Sequence, residues 1–510
     1  MQLHLSEYRD KVLGCWLGKN IGGTLGAPFE CRRGVFDVDF YTQDTHGEPL
    51  PNDDLDLQLV WLNAAEKHGR GVTASILGEY WLMYISPNWG EYGAGKNNLV
   101  AGLLPPLSGY VNNVYRDSCG AFILSEIWAC LAPGHPEVAV RYAVEDATVN
   151  HSNEGVYAEV FCAAVESAAF VESDARTLIN IGLSYIPADC GVAKAVKTVI
   201  AAYDGGKTWQ EARKLVLQAV PATFGLLGTP REQVPADEPE GAMGYDAPSN
   251  IGIILIGWLY GGGDFGQSLC LATNCGEDAD CTAGTLGAIL GIIGGASSLP
   301  DKWLAPIGRN IKTLCLNRGD QGMRWPNTVD EMTDRVVHLM PRFLGSEWVD
   351  VVNSERGYSV NCLEGDALVN RRRRRNAFVE TDFLDHLARQ PFTVCADHVL
   401  FSTRLTYDGE PYIRPGVPVR VTLTVENQFF RQQWLNVRWH LPAGFRVSPG
   451  PALSAPLEQY HCNVGSTSIE FEIVADELAE PRYDLILQVT SVGHHTQGLI
   501  PVTLLTAASH

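Results

Sequence analysis

The spacing of apolar residues changes once along the 510-residue chain, and this change constrains the fold more than any other feature of the sequence. As far as about residue 345, apolar residues recur every three or four positions, as in GVYAEVFCAAVESAAF and TWQEARKLVLQAV, which predicts helices. Pro and Gly commonly separate these segments. Farther on the period becomes two: in VPVRVTLTVEN, alternate apolar residues run from Val417 to Val425. That alternation predicts half-buried strands.

The sequence therefore predicts a multidomain protein. A large all-α domain is expected over residues 1–345, a connecting segment over 346–390, and a smaller all-β immunoglobulin-like sandwich over 391–510. The connecting segment contains five successive arginines at 371–375. An isolated basic run of this kind is interpreted as a solvated linker that needs no partner.

Charge and apolar content exclude two classes of partner. The formal net charge of −21 repels phosphate backbones, so no nucleic-acid partner is expected. The most apolar windows, IGIILIGWLYGGG and LGAILGIIGG, are shorter than the about twenty residues that cross a bilayer, so no membrane segment is expected. The 13 cysteines form no CxxC pair, and the first residues lack an apolar signal core, which predicts reduced thiols in a cytoplasmic protein.

An acidic segment late in the helical region, NCGEDADCTAGTLGAILG, places Glu277, Asp278 and Asp280 within four positions. Two carboxylates about 5 Å apart repel each other by roughly 3 kcal/mol at an effective dielectric constant near 20. A helix that begins near Asp278 would place Asp280 at the head of a glycine stripe that a neighbouring helix can approach closely. The stripe consists of Gly284, Gly287 and Gly291.

A second acidic segment, PNDDLDLQLVW, lies far upstream and follows a turn at Pro51 and Asn52. Asn or Asp is a natural N-cap here, and acidic residues suit the first turn of a helix. Asp53, however, lies four residues before Leu57 and so shares the apolar face of the predicted helix. Together, the two acidic segments would offer four or five oxygen donors, which hard divalent cations such as Mg²⁺ or Mn²⁺ prefer. Two ordinary capped helix starts are the alternative.

Three segments, in this order, resemble the ADP-ribosylglycohydrolase family over roughly residues 6 to 345. A glycine-spaced first helix ends in GTLGAPFE, which carries Glu30; the acidic pair lies in NDDLDLQ; and the late helix start is GEDADCTAGTLGAILG. The resemblance implies an all-α domain with two Mg²⁺ ions in a cleft, with Mn²⁺ as the alternative metal. By motif position it implies metal ligation by Asn52, Asp53, Asp54, Asp278 and Asp280.

The resemblance also implies the chemistry. Glu30 would position or deprotonate the attacking water, and catalysis would depend on Glu30 and Asp280. Family members hydrolyse the bond at the anomeric carbon of a ribose, so an ADP-ribosyl adduct is the first-choice substrate. A small nucleoside or sugar glycoside is the second candidate. A non-catalytic descendant that binds ADP-ribose or a sugar is a further alternative, as is a structural protein that assembles through the sandwich; no oligomeric state is predicted.

The sequence departs from the family pattern at four positions. Asn52 and Leu55 stand where the familiar acidic motif has threonine, and Gly23 stands where an aspartate usually precedes the GAP stretch. Cys281 replaces the threonine of the late motif. Because a thiol is a poor partner for Mg²⁺, either that ligand is lost or a softer ion such as Mn²⁺ is used.

Substrate contacts are expected from three further polar residues. His151 follows a predicted helix near the place of a family substrate-contacting histidine, while Asn274 and Asn250 flank helix starts. Structural hydrogen bonding for the histidine and helix capping for the asparagines are the alternatives. The Gly- and Pro-rich segment at 87–115, with few helical signals, predicts a substrate-binding loop. Its aromatic residues, Trp89, Tyr110 and Tyr115, would stack on a base or sugar, or would pack the loop.

Overall fold

The computed structural model describes residues 1–223, 232, 236–239, 241, 244–319, 323–353, 357–370, 392–429, 431–458 and 465–506. The arginine run at 371–375 lies outside these residues. Up to residue 344 the described chain is mainly helical, and from residue 393 it is built of strands. The predicted order of a large α-domain followed by a β-domain is therefore confirmed.

Sixteen α-helices lie in the described part of the chain, numbered here in chain order. They are α1 (Leu5–Gly26), α2 (Asp53–His68), α3 (Ala74–Tyr84), α4 (Gly90–Val100), α5 (Leu107–Tyr110), α6 (Ser125–Leu131), α7 (Pro136–Ala147), α8 (Glu154–Ala169), α9 (Ala175–Ser184), α10 (Gly191–Asp204), α11 (Trp209–Ala219), α12 (Ala247–Tyr260), α13 (Phe265–Asn274), α14 (Ala279–Gly294), α15 (Asp301–Leu304) and α16 (Val329–Leu344). None of them combines the length and the apolar character that a bilayer crossing requires.

Helices α1 and α14 pack backbone to backbone. A Cβ atom on Gly18 would lie 1.9 Å from the carbonyl oxygen of Gly287, and one on Gly14 would lie 2.2 Å from that of Gly291. Only glycine fits at such separations, since real Cβ atoms do not approach backbone atoms so closely. The predicted close approach along the glycine stripe is confirmed, and it brings the start of α14 to the end of α1.

Helix α2 begins as the sequence predicts. The side-chain oxygen of Asn52 accepts a hydrogen bond of 2.8 Å from the backbone N–H of Asp54, so Asn52 is the N-cap. Leu57, Val60 and Trp61 are fully buried. Asn52 and Asp53 at the capped end are half-buried, and the helix is buried from Asp54 to Ala65.

Fifteen strands occur among the described residues. They are β1 (Gln2–His4), β2 (Arg32–Arg33), β3 (Gly276–Glu277), β4 (Val349–Asn353), β5 (Gly357–Asn361), β6 (Thr393–Asp397), β7 (Phe401–Tyr407), β8 (Tyr412–Ile413), β9 (Val419–Asn427), β10 (Gln433–His440), β11 (Phe445–Ser448), β12 (Ala452–Leu457), β13 (Ser466–Ala475), β14 (Arg482–Ser491) and β15 (Gln497–Thr506). Strands β2 and β3 pair with each other, and β1, β5 and β4 form a small antiparallel sheet.

Part of the expected connecting segment is thus ordered on the helical domain. Leu3 of β1 lies opposite Val360 of β5, and both side chains are fully buried. The two ends of the helical region are held together by this sheet. The division at residues 345 and 391 stays a prediction, with β5 paired to β1 of the N-terminal domain and β4 paired to β5.

The C-terminal strands form two five-stranded sheets, in the orders β12-β10-β14-β15-β8 and β11-β13-β9-β7-β6. Alternate residues of β10 are buried and exposed, as the period of two predicts. The sheets meet face to face: the rings of Trp439 and Phe471 lie 5.3 Å apart, and the Tyr407 hydroxyl donates a hydrogen bond of 3.2 Å to the backbone oxygen of Thr503. The predicted sandwich is therefore present.

The turn between β14 and β15 contacts the helical domain. His494 Nδ1 lies 2.7 Å from Glu79 Oε1, and the Thr496 hydroxyl donates a hydrogen bond of 2.9 Å to Glu79 Oε2. The side-chain amide of Gln497 donates to the backbone oxygen of Val100. One turn of the sandwich therefore holds both α3, through Glu79, and the end of α4.

Candidate metal centre and catalytic cavity

Three acidic stretches, far apart in the sequence, come together in the fold. Ligand atoms of Asp54, Asp280 and Cys281 lie within 4.8 Å of one another, and so do those of Glu30, Cys31 and Asp278. Glu30 follows the end of α1, whereas the aspartates come from the first turns of α2 and α14 and the residue just before α14. Helix packing therefore brings one end of α1 next to the starts of α2 and α14.

Hydrogen bonds orient some of the carboxylate oxygens. The Tyr92 hydroxyl donates a hydrogen bond of 2.6 Å to Asp53 Oδ2, and the Asn52 amide donates one of 3.2 Å to Asp280 Oδ2. Oδ1 of Asp278 and Oδ1 of Asp280 are buried and have no hydrogen-bond partner among the described residues. Buried polar atoms are normally satisfied, so these two oxygens call for a ligand.

The electrostatics of this cluster fit a cation. Burial and the neighbouring Glu30 raise the pKa of Asp280 to about 8. Burial, together with Asp280 and Glu30, also raises the pKa of Asp278. Crowded carboxylates that are removed from water resist ionisation unless an opposite charge is present. Oxygen donors in this condition suit a hard divalent cation such as Mg²⁺ or Mn²⁺.

Cys281 adds a thiol to the cluster. Its sulfur lies 3.6 Å from Asp54 Oδ1 and donates a hydrogen bond to it. Burial and the adjacent carboxylates of Asp278 and Asp54 raise the pKa of the Cys281 thiol, so it stays protonated. In this protonated form the thiol is a hydrogen-bond donor to a carboxylate of the candidate centre.

The departures at Gly23 and Asn52 are linked in space. A Cβ on Gly23 would lie 2.8 Å from the side-chain nitrogen of Asn52, so the Asn52 amide occupies room that a side chain at residue 23 would need. From there it reaches Asp280. Leu55, at the other departure, is 3% exposed and packs in the core, where it can ligate nothing.

Glu277 belongs to a different environment from its neighbours in the acidic segment. Its carboxylate accepts hydrogen bonds of 2.6 and 3.0 Å from the Arg33 guanidinium, and it is fully buried. The backbone φ of +64° at Glu277 turns the chain so that adjacent residues diverge. The acidic cluster in the sequence therefore divides between an ion pair and the candidate metal centre.

A lysine behind the cluster was not singled out in the sequence. Lys19 Nζ lies 3.7 Å from Asp54 Oδ2 and 2.5 Å from Glu126 Oε1, and the side chain is 1% exposed. It partly offsets the negative charge of the centre. The sequence contains a signal for this buried lysine, because Lys19 is the one charged residue in LGKNIGG, a run of mainly small and apolar residues.

The clustered carboxylates line a cavity of about 90 Å³. Residues from α2, α4, α14 and neighbouring loops contribute to its wall. They are Glu30, Cys31, Asp53, Trp89, Gly90, Glu91, Tyr92, Gly120, Ile123, Tyr245, Asp278, Asp280 and Cys281. The cavity thus combines carboxylates with aromatic rings, as expected for a site that binds a sugar.

The segment expected to form a loop at 87–115 contains a helix instead. Helix α4 begins right after Trp89 and carries Glu91 and Tyr92 into the cavity wall. Its glycines hide its helical character in the sequence. They are required by packing: a Cβ on Gly95 would lie 2.5 Å from that of Asn150. Tertiary contact here overrides low helix propensity.

The three aromatic residues of that segment have different surroundings. Trp89 lines the cavity and is 47% exposed. Tyr110 is exposed, with the Arg116 guanidinium 5.0 Å from its ring centre, and the ring of Tyr115 stacks on that of Tyr245 at 6.5 Å. Trp89 is thus the one of the three that is placed to contact a ligand in the cavity.

The predicted substrate-contacting residues lie behind the described cavity wall. His151 is fully buried, with Nε2 2.7 Å from the Ser118 hydroxyl and Nδ1 2.7 Å from the Asn150 side-chain oxygen. Asn274 exchanges two hydrogen bonds with the backbone of Val38. These contacts support the structural alternative, and a substrate role for either residue stays a prediction.

Asn250 hydrogen-bonds to the backbone of the candidate metal centre. Its side-chain nitrogen donates a hydrogen bond of 2.9 Å to the backbone oxygen of Asp246, and its oxygen accepts one of 3.1 Å from the backbone N–H of Asp278. Asn250 is fully buried within α12. It therefore orients the residue that begins the late acidic motif, and substrate contact stays untested.

A family model and a solved structure match this chain. The model of the ADP-ribosylglycohydrolase family matches residues 4–341. A solved structure described as an ADP-ribosylglycohydrolase-related protein complex is 18% identical, covering 67% of this chain and 100% of its own, with a TM-score of 0.44. No curated protein matches the chain.

Proposed function

Since the chain belongs to the ADP-ribosylglycohydrolase family, we propose that it is a metal-dependent glycohydrolase. It cleaves an N- or O-glycosidic bond at a ribose-like anomeric carbon, and an ADP-ribosyl adduct is its first-choice substrate. One observation carries this proposal. Acidic side chains from three distant segments meet in one cavity, where Asp278 and Asp280 each present a buried oxygen without a partner among the described residues.

The proposed metal site consists of oxygen donors. Two Mg²⁺ ions, or Mn²⁺ in their place, would neutralise the carboxylates, hold sugar hydroxyls and lower the pKa of a bound water. The Cys281 thiol, which donates a hydrogen bond to Asp54, lies beside these oxygen donors. The residues that would hold the ions are Asn52, Asp53, Asp54, Asp278 and Asp280.

The chain's own residues supply orientation and proton transfer. Partial desolvation and the neighbouring carboxylates of Asp53 and Asp54 raise the pKa of Glu30 to about 7, which suits a group that accepts a proton from water near neutral pH. Tyr92 orients Asp53 through its hydrogen bond. Trp89, at the cavity wall, offers a flat apolar face to a sugar or a base.

A small glycoside is the second candidate substrate. The cavity of about 90 Å³ is smaller than the roughly 300–1,000 Å³ of typical ligand pockets. Most of an ADP-ribosyl group would therefore lie outside it, whereas a nucleoside or simple sugar glycoside would place a larger share of its atoms inside.

A product assay tests the function. Purified protein with Mg²⁺ or Mn²⁺ is incubated with ADP-ribosylated peptides, nucleosides and simple ribosides, and released sugar is separated by chromatography. We expect turnover that chelation abolishes and that Asp280→Asn lowers at least about 100-fold. Asp56→Asn is the matched control, since Asp56 binds the backbone of Leu314 and Cys315 and is not a cavity residue.

The alternatives give different results in the same assay. Turnover of ribosides alone would assign the small-glycoside function. ADP-ribose binding without turnover of any substrate would identify a non-catalytic descendant. Turnover that survives both chelation and Asp280→Asn would contradict the proposal.

A further inference from the structure

Glu91, in the first turn of α4, is a cavity carboxylate to which the proposed function gives no role. It lines the same cavity as Glu30 and Asp280, but comes from a different element. Its side chain is 9% exposed, so it is nearly buried yet reaches the cavity. Like Asp53, it belongs to neither group of described side chains close enough to share a metal ion, and unlike Asp53 it lies outside the two acidic segments.

Buried polar groups hold the Glu91 carboxylate in place. Ser118 lies beside it, and the Ser118 hydroxyl is 2.7 Å from His151 Nε2. His151 Nε2 lies 3.9 Å from Glu91 Oε1. Burial lowers the pKa of His151 to about 3, so the imidazole is neutral and Glu91 faces no buried cation there.

The backbone is also shaped around this carboxylate. A Cβ on Gly120 would lie 2.0 Å from Glu91 Oε1, so a side chain at residue 120 would displace the carboxylate from this orientation. The Glu91 carboxylate thus lies against Ser118, Gly120 and His151. A carboxylate that only capped α4 would not require these surroundings.

We infer that Glu91 is the general acid of the site, the group that protonates the departing atom of the glycoside. This inference rests on the proposed glycohydrolase function. Glycoside hydrolysis commonly uses two carboxyl groups, one for the water and one for the leaving group. Glu30 serves the water, and Glu91 is the further carboxyl group on the cavity wall.

The step balances in atoms and charge. The bond between the anomeric carbon and the leaving nitrogen or oxygen breaks, its electron pair stays on the leaving atom, and that atom takes the proton of Glu91. Water adds its oxygen to the anomeric carbon and passes its proton to Glu30. Proton exchange with solvent then restores both carboxyl groups.

Burial and the nearby Asp53 raise the pKa of Glu91 to about 7, which agrees with a protonated donor at neutral pH. A donor of this kind loses its proton as pH rises, so the wild-type rate should fall on the alkaline side of its pH profile. Glu91→Gln cannot titrate, and its rate should lack that alkaline limb.

Leaving-group dependence tests the inference most sharply. The two substrates are p-nitrophenyl and methyl ribofuranosides, both anomers of each, assayed with Mg²⁺ or Mn²⁺. Because p-nitrophenolate departs without a proton, Glu91→Gln should lower kcat/KM for it by less than about 5-fold. For the methyl riboside the loss should be at least about 100-fold.

Two controls separate chemistry from structure. Glu145→Gln replaces another acid of the helical domain, one that binds the backbone of Ala74 and is not a cavity residue; it should affect both substrates equally and slightly. Calorimetric titration with Mn²⁺ should give the same affinity for wild type and Glu91→Gln. An equal loss on both substrates would overturn the role of Glu91 while the proposed function stands. A wild type that cleaves none of these ribosides or other glycosides would overturn the proposed function itself.

Discussion

Buried charge is the most unusual feature of this protein at the scale of single residues. Behind the candidate metal centre, four acidic side chains and Lys19 are packed in the helical core. Each is at most 1% exposed, and both carboxylate oxygens of Glu159 lack a hydrogen-bond partner among the described residues. The four acidic residues are Glu126, Asp146, Glu159 and Glu166. One lysine cannot neutralise four ionised acids, so some of them are protonated in the native state.

Glu159→Gln should therefore stabilise the protein at high pH. Burial, and then the charges of Asp146, Glu126 and Glu166, raise the pKa of Glu159 above its usual value near 4.3. The native state then binds more protons than the unfolded state above about pH 4, so the free energy of unfolding falls as pH rises. We expect the variant to gain about 1–3 kcal/mol at pH 8 and nothing at pH 4, measured by urea unfolding.

Glu7→Gln, at an exposed residue, is the control and should change stability at neither pH. A gain by Glu159→Gln that is as large at pH 4 as at pH 8 would show that lost packing strain, not ionisation, explains the effect.

Asp280→Asn should have opposite effects with and without metal. In the presence of a chelator and at a pH above the Asp280 pKa of about 8, it removes one charge from a crowded cluster, so the melting temperature should rise by a few degrees. Mn²⁺ should stabilise the wild type and leave the variant unchanged, because binding to the native state is the source of that gain. Asp56→Asn should lower the melting temperature equally in both conditions, since Asp56 accepts backbone hydrogen bonds of 2.6 and 2.7 Å outside the cluster. A chelated Asp280→Asn less stable than wild type would contradict this account.

Sequence reasoning reached the site residues that lie at helix starts and missed those placed by tertiary packing. Asp53 and Asp280 were singled out because an acid on an apolar helix face or glycine stripe is costly without a partner. Their meeting in one cavity agrees with that argument. Glu91 was missed because its glycine-rich helix resembles a loop. The sequence could not show that Glu277 and Asp278 have different surroundings. The left-handed φ of Glu277 turns the chain between them, and no sequence pattern records it.

At the scale of elements, the packing of α1 on α14 sets the geometry of the centre. Gly18→Ala should therefore damage both stability and metal binding. Its Cβ would overlap the Gly287 carbonyl at 1.9 Å, so the helices must separate. We expect a loss of about 3 kcal/mol, at the upper end for overpacking, together with weaker Mn²⁺ binding as Glu30 and Asp280 move apart. Urea unfolding and calorimetric titration measure the two effects.

Gly319→Ala is the matched control, because its nearest neighbour would be 3.6 Å away and its φ is ordinary. Unchanged Mn²⁺ affinity in a folded Gly18→Ala variant would mean that helix spacing does not control the centre.

Most of the fold could be anticipated from periodicity, and its exceptions have a physical cause. The amphipathic helices α7, α8 and α11 and the alternating strands β9, β10 and β13 follow the predicted pattern. The small sheet is an exception at β1, because this short strand pairs with β5, some 350 residues away. No local pattern records such a pairing.

At the scale of the whole molecule, the sandwich contacts the helices next to the wall of the cavity. Glu79 is 2% exposed, and its two oxygens are bound by His494 and Thr496 of the sandwich. Glu79 belongs to α3, whose C-terminal end leads into Trp89 and α4. The sandwich therefore contacts the helix pair that positions Glu91 and Tyr92.

Glu79→Ala should weaken this contact between the sandwich and the helical domain. It leaves His494 and Thr496 without their partner, so the melting of the sandwich should separate from that of the helical domain in scanning calorimetry, and turnover should fall several-fold. Trp434→Ala, on the exposed outer face of the sandwich, is the control and should change neither. An unchanged calorimetric profile for Glu79→Ala would show that the contacts of Glu79 with His494 and Thr496 do not couple the domains.

The central claim is that three distant acidic segments form one metal centre. Calorimetric titration of Mn²⁺ into the chelator-treated full chain tests it most directly, with Asp278→Asn titrated in parallel. We predict saturable binding, with two ions per chain, that Asp278→Asn weakens at least about tenfold. No detectable binding by the wild type, or equal affinity in Asp278→Asn, would contradict the account.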